Sequence, residues 1–464
     1  MPAIITTKFR INNSEQFHES FTEASPNVYY IGLARPQAFA TPTRGDGRTD
    51  YEGTDSNPIT PGDTVIAEFN TFDDLLAAKK ITSSDISFCI PRRNWTTGTT
   101  YDKYEHNISS SNTANSGATN LFDSTFVVMN SSYAVYKVID NDGNTASTVE
   151  PTSTSNSIFT TSDNYKWKYM YSLTSAETLN FMSTDFIHVS TDSTVTAAAV
   201  DGALDTIEVV AGGSSYNTSS GSTISAIPIR GDGSSGKATV VVGSNAVTSV
   251  TITTAGSGYT FASVLASDIG SVSGADIDFI ISPPGGHASD AVAELGGFFV
   301  MMNVDFATSE SGEFNTSNDF RRIALLRNPT DSTTGSTATA STLDATKSMT
   351  FSGTPGSFQA DEKITQASTG AVGFVVDFNS TTKVLRYIQP QFTNQGVDSN
   401  GNLTAFSSTN TVTGATSGAT GTPSSHDITP ELTADTGDIL YIENRKPISR
   451  ASDQTENVKL IVEF

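Results

Sequence analysis

Between Tyr165 and Tyr171 an aromatic residue occupies every second position: Tyr165, Trp167, Tyr169 and Tyr171, separated by Lys166, Lys168 and Met170. A period of two is the side-chain repeat of a β-strand, so the stretch predicts a strand with one wide aromatic face. That face must be covered by other elements, while the interleaved lysines predict a solvated opposite side. Phe126-Val127-Val128-Met129 and residues 133–139 are also β-rich and bounded by Asn, Asp and Gly. Composition agrees. Charged residues are 16% and hydrophobic ones 36%, and Leu is sparse beside Val, Ile, Thr, Phe and Tyr, which excludes a helical bundle. The expected class is mainly β: a β-sandwich core with a few short helices in loops and two inserted small β modules.

Two helices are expected. Asn13 caps one, with Gln16 at the third helical position and Phe17 and Phe21 on a shared face. Thr71 and Asp74 form a capping box for the other, which continues through Leu75, Leu76, Ala77 and Ala78 to Lys79 and Lys80.

A length of 464 residues predicts about three domains. Thr206-Ile207-Glu208-Val209 leads into Gly213-Ser214-Ser215-Tyr216, and Ser249-Val250-Thr251-Ile252 leads into Gly256-Ser257-Gly258-Tyr259. A strand, a Gly/Ser turn and a tyrosine are thus repeated, which predicts a duplicated β module whose aromatic covers the turn. It resembles a Gly/Ser/Tyr module found within many phage tail proteins. Residues 331–342 are almost all Ser, Thr, Gly and Ala and read as a linker. The expected division is a core from 1–200, 281–330 and 428–464, an inserted module at 201–280, and a linker with a second inserted module at 331–427.

The balance of 26 basic and 49 acidic residues, a net −23, gives no footprint for wrapping phosphate and repels anionic membrane surfaces. Neither nucleic acid nor membrane is an expected partner. The single cysteine, Cys89, leaves no internal disulfide and reads as a small buried hydrophobe. Residues 1–10 lack an apolar targeting core, and the longest nearly apolar run, 295–304, is far below the 18 or so residues of a spanning helix. A soluble protein made in a cytoplasm is expected.

Gly231 to Lys237 spells Gly-x-x-x-x-Gly-Lys, but Ala238 stands where Ser or Thr must hold Mg²⁺, and a strand follows instead of a helix. Asp140-x-Asp142-x-Asn144 opens like a calcium loop, yet its glycine is Gly143 and its twelfth position is Pro151, so a polar turn is favoured. His18, His106, His188, His287 and His426 have no paired metal spacing. No nucleophile elbow is present, and no carboxylate pair stands out among the many. The expectation is no catalytic, cofactor-binding or metal residue, and no enzyme.

Three segments carry a family resemblance: Phe88-Cys89-Ile90-Pro91-Arg92-Arg93-Asn94-Trp95; Tyr165 to Leu173; and Asp438 to Pro447 with Asp453-Gln454-Thr455-Glu456 and Leu460 to Phe464. In this order they resemble the baseplate wedge subunit of T4-like contractile-tailed phages, known as a β-sandwich dimer. The style of the insertions resembles tail proteins of cyanophages. The resemblance implies a structural subunit acting in virion assembly, partnered by itself as a homodimer and by other wedge proteins. Its place would be the tail baseplate, and the host cytoplasm during assembly. The signature residues it marks as structural or interface candidates are Pro91, Arg92, Arg93, Trp95, Trp167, Tyr169, Tyr441, Glu443, Asn444, Arg445, Asp453, Gln454 and Glu456. Pro91 would end a strand, and Arg92 and Arg93 either pair with carboxylates or lie solvated in a turn. Two other readings stand beside this one: an adhesin or fibre-like protein binding host glycans through the Gly/Tyr modules, and a glycan-degrading tail enzyme.

Overall fold

In the computed structural model, which describes residues 5–23, 27–39, 53–216, 222–269, 274–316, 318–389 and 396–464, the aromatic stretch is the strand Lys166–Ser172. The protein is mainly β, with 41% strand and 12% helix, so sheet ladders supply most of its backbone hydrogen bonding. The chain divides into two compact units, one of residues 1–16, 87–301 and 461–464 and the other of 17–86 and 302–460.

In the first unit Lys166–Ser172 lies inside a four-stranded antiparallel sheet, between Ala134–Asp140 and Phe159–Thr160, with Val127–Met129 at one edge. Trp167 is fully buried and stacks on Tyr165 with ring centroids 5.3 Å apart. The expected solvated side holds only at its end: Lys166 keeps 38% of its side chain exposed, whereas Lys168 and Met170 are buried, so the middle of the strand is covered on both faces. Lys168 Nζ donates to Asn156 O at 2.6 Å, which replaces the water it has lost.

The 43-residue repeat lies within the same unit. Leu204–Ala211 pairs antiparallel with Asp276–Ile281, and Ser222–Pro228, Lys237–Gly243 and Ala246–Thr254 form a three-stranded sheet. Each copy's tyrosine is buried in its own apolar cluster, Tyr216 with Val240, Val242 and Val247, and Tyr259 with Leu204, Ile229 and Phe279. Each hydroxyl accepts a backbone N–H, Tyr216 from Ala275 at 2.6 Å and Tyr259 from Gly236 at 3.1 Å.

The second unit is built on a five-stranded antiparallel sheet in the order Thr342–Asp344, Leu75–Ile81, Tyr29–Ala34, Asp319–Arg327, Asp438–Ser449. Its residues Tyr30, Leu75, Ala324, Leu326 and Leu432 belong to one core. A seven-stranded sheet over 347–428 surrounds a separate core, where Phe351 stacks on Phe358 at 5.1 Å. Residues 331–342 carry the buried Ala338, and Asp331 Oδ1 accepts from Thr333 N and Thr334 N.

Both expected helices are displaced. The first is Thr7–Glu19, with Thr6 Oγ1 accepting from Phe9 N at 3.3 Å, so Thr6 caps it and Asn13 lies mid-helix. The second is Val65–Asp73, capped by Thr64 through Ala67 N. Thr71 Oγ1 instead donates back to Ala67 O at 2.8 Å. Leu75 to Lys80 continue not as helix but as the strand Leu75–Ile81, paired on both sides by Tyr29–Ala34 and Thr342–Asp344. A short unbroken apolar run has no period of its own, and burial on both faces selects the strand.

Candidate functional site

Lys137 is the centre of a buried polar cluster in the first unit. Its neighbours along Ala134–Asp140 hold it in the middle of the aromatic sheet, and none of its side chain is exposed. Nζ lies 2.6 Å from Glu294 Oε1 and 2.9 Å from His287 Nδ1, and 3.3 Å from the centroid of the Tyr104 ring. Glu294, on the helix Ala291–Leu295, also accepts from Ala288 N at 2.5 Å. The second ring nitrogen of His287 meets Asp205 Oδ2 at 3.2 Å, on the first strand of the repeat module. The two ends of the ion pair respond differently. Burial dominates at Lys137 and pushes its pKa down to about 8 despite Glu294. At Glu294 burial acts upward, but Lys137 and His287 together win and hold it at about 2. Both groups are therefore charged at neutral pH, each neutralised by the other.

The second unit holds a counterpart. Asp74, just past the helix Val65–Asp73, is buried between Arg322 Nη1 at 3.4 Å and Arg35 Nη1 at 3.6 Å. Burial still raises its carboxyl above the usual range. Arg322 Nε donates to Asn444 Oδ1 at 2.9 Å, and Asn444 Nδ2 donates to Ile59 O at 2.9 Å. Asn444 thus fastens the strand Asp438–Ser449 to this buried charge cluster.

The other signature residues divide between interior and surface. Pro91 ends Ile86–Pro91, opposite Phe186. Arg92 donates to Asn94 Oδ1 at 3.0 Å and Ser183 O at 2.8 Å, and Arg93 to Asp123 O at 3.4 Å. Burial lowers the Arg93 pKa while Asp102 and Asp123 oppose it. Trp95 Nε1 donates to Ser147 Oγ, Trp167 Nε1 to Thr161 Oγ1, and Tyr169 shares a hydrogen bond with Ser172. Tyr441 is exposed and donates to Glu443, which also pairs with Arg445 at 2.7 Å. Glu456 pairs with Arg450 at 2.9 Å, Gln454 O accepts from Thr308 N, and Asp453 is exposed.

The glycines of Gly231–Lys237 have a steric role. A Cβ on Gly233 would fall 2.5 Å from Tyr259 Cδ2, and one on Gly236 would fall 2.7 Å from its hydroxyl. The loop closes over a tyrosine ring. At Asp140 the chain turns with Asp142 and Asn144 at positive φ, and Asp140 Oδ1 accepts from Asp142 N at 3.1 Å. Cys89 is fully buried, and burial pushes its thiol up to about 12. Among the described residues no helix is long and apolar enough to cross a membrane.

The interior charges were missed from sequence because their partners are distant in the chain. The arrangement they form joins elements together: Lys137 and Asp205 tie sheet to module through His287, and Asn444 ties the strand Asp438–Ser449 to Asp74 through Arg322. Residues 3–150 match the family model described as Bacteriophage T4, Gp8. The match spans about a third of the chain and includes the Pro91-Arg92-Arg93 motif. No curated protein matches the chain.

Proposed function

We propose that this chain is a structural subunit of the tail baseplate wedge of a T4-like phage and acts in virion assembly rather than catalysis. The observation that carries the reading is the match of residues 3–150 to the Gp8 family. The order of the three signature segments supports it, because two of them lie beyond the matched residues. The subunit works as a homodimer, the commonest closed oligomer, and contacts other wedge proteins within the baseplate. It reaches the baseplate from the host cytoplasm. Residues 201–280 and 331–427 are insertions of the cyanophage style in a core of 1–200, 281–330 and 428–464. In support, Ala203 and Ser282 bond to each other through both backbone and side chain, at 2.9 and 3.0 Å, so the ends of the first insertion adjoin. Light scattering of the purified chain tests the dimer: twice the chain mass is expected, and a monomer at micromolar concentration would contradict it.

A further inference from the structure

The strand Asp438–Ser449 is the last in its sheet, paired along one side with Asp319–Arg327. Among the described residues no strand pairs with its other side. Such an edge presents unpaired N–H and C=O groups as a template for another strand. Beside residues 439–442 runs a groove of about 280 Å³, and its opposite wall is the 61–64 segment with Glu68. Each wall carries or adjoins exposed apolar side chains. Val65 and Phe69, four apart on one face of their helix, are 65% and 46% exposed, and Leu440 and Tyr441 are 42% and 39% exposed. Exposed large apolar side chains on an open edge, such as Leu440 and Tyr441, mark an interaction surface.

Charge selects the occupant. Asp63 and Glu68 line the groove with no ion pair among the described residues, whereas Asp438 and Glu443 are already neutralised by Arg327 and Arg445. A second copy of this chain would bring the same two carboxylates, and a net −23, against this wall. We propose that the groove receives an extended segment of another protein, which adds as a further strand along 438–442. That segment is apolar on the side facing Leu440 and Tyr441 and carries Lys or Arg beside Asp63 and Glu68. Main-chain hydrogen bonds then supply affinity, and the carboxylates supply preference. The inference rests on the assembly reading and names the chemistry of one partner contact.

The test titrates the full chain with a fluorescein-tagged heptapeptide of alternating valine and threonine with a lysine at each end, read by anisotropy. Saturable binding is expected. Glutamates in place of the lysines should weaken it roughly tenfold, because two favourable contacts become repulsive. Methylation of alternate backbone amides should abolish it. Asp63→Lys with Glu68→Lys, both on the surface and outside the Thr64 cap, should reverse the preference; circular dichroism checks their fold. No binding, indifference to methylation or equal binding of both peptides would overturn the proposal. So would a dimer that excludes the peptide, which would give the groove to a second copy. None of these outcomes bears on whether the chain resides in the baseplate.

Discussion

Replacing Glu294 by Leu should destabilise the first unit more than replacing both Glu294 and Lys137. In the single variant Lys137, with none of its side chain exposed, loses the carboxylate 2.6 Å away and keeps His287, the Tyr104 and Phe126 rings and the more distant charge of Asp205. Stranding one charge of a buried pair costs about 3–5 kcal/mol. The Ala288 N–H that Glu294 accepts loses its partner as well, at about 1–3 kcal/mol. The second cost is common to Glu294→Leu and to Lys137→Met combined with Glu294→Leu, so it cancels between them. Removing the stranded ammonium should therefore restore about 2 kcal/mol or more. Urea unfolding followed by tryptophan fluorescence isolates the effect, because the two tryptophans, Trp95 and Trp167, both lie in the first unit. A double variant less stable than Glu294→Leu would refute the reasoning, since the lysine would then contribute by packing and not through its charge.

Four further outcomes follow from the structure. Lys137 is held near 8 in the fold, against an ordinary lysine value of 10.5, so the unfolded chain binds more protons between those values and stability rises with pH there; Lys137→Met should remove that slope in alkaline urea titrations. Asp102 accepts from Ser116 N, Ser116 Oγ, Thr125 N and Thr125 Oγ1, which lower its pKa against the opposing effect of burial. Its stabilisation is present above the ordinary aspartate value of 3.8 and lost as pH falls below it, so Asp102→Asn should cost about 1–3 kcal/mol at pH 7 and less at pH 3. Gly233→Ala, forced against the Tyr259 ring, should cost about 1–3 kcal/mol and speed amide exchange within the Lys237–Gly243 and Ala246–Thr254 strands more than in Lys166–Ser172. Replacing 205–280 by a short Gly/Ser linker between the adjoining Leu204 and Ile281 should leave a cooperative melt, whereas deleting 438–464 strips an edge strand from the five-stranded sheet and should abolish it.

The strand at 165–171 was legible because its aromatics keep a period of two without interruption. The mainly β class was legible from composition and turn chemistry. The misplaced elements have two causes: at the first helix Thr6 caps the chain before the expected Asn13 is reached, and at the second a local signal was overridden by tertiary burial. Thr71 and Asp74 have capping-box spacing, but the apolar run after them belongs between two strands. Lys168 was expected in water because alternation shows two faces and not what covers each of them. The Lys137 cluster was invisible for a plainer reason, since 157 residues separate it from Glu294 in the chain. The glycine loop at 231–237 shows the converse. Its departures from a phosphate loop were readable, while its actual steric role required the position of Tyr259.

The most direct test of the baseplate assignment is the location and copy number of this chain in purified virions, by quantitative mass spectrometry of tails with baseplates and of isolated fibres. A wedge subunit should remain with the baseplate and occur in sixfold multiples. Recovery with the fibres in threefold multiples, or absence from the particle, would contradict it.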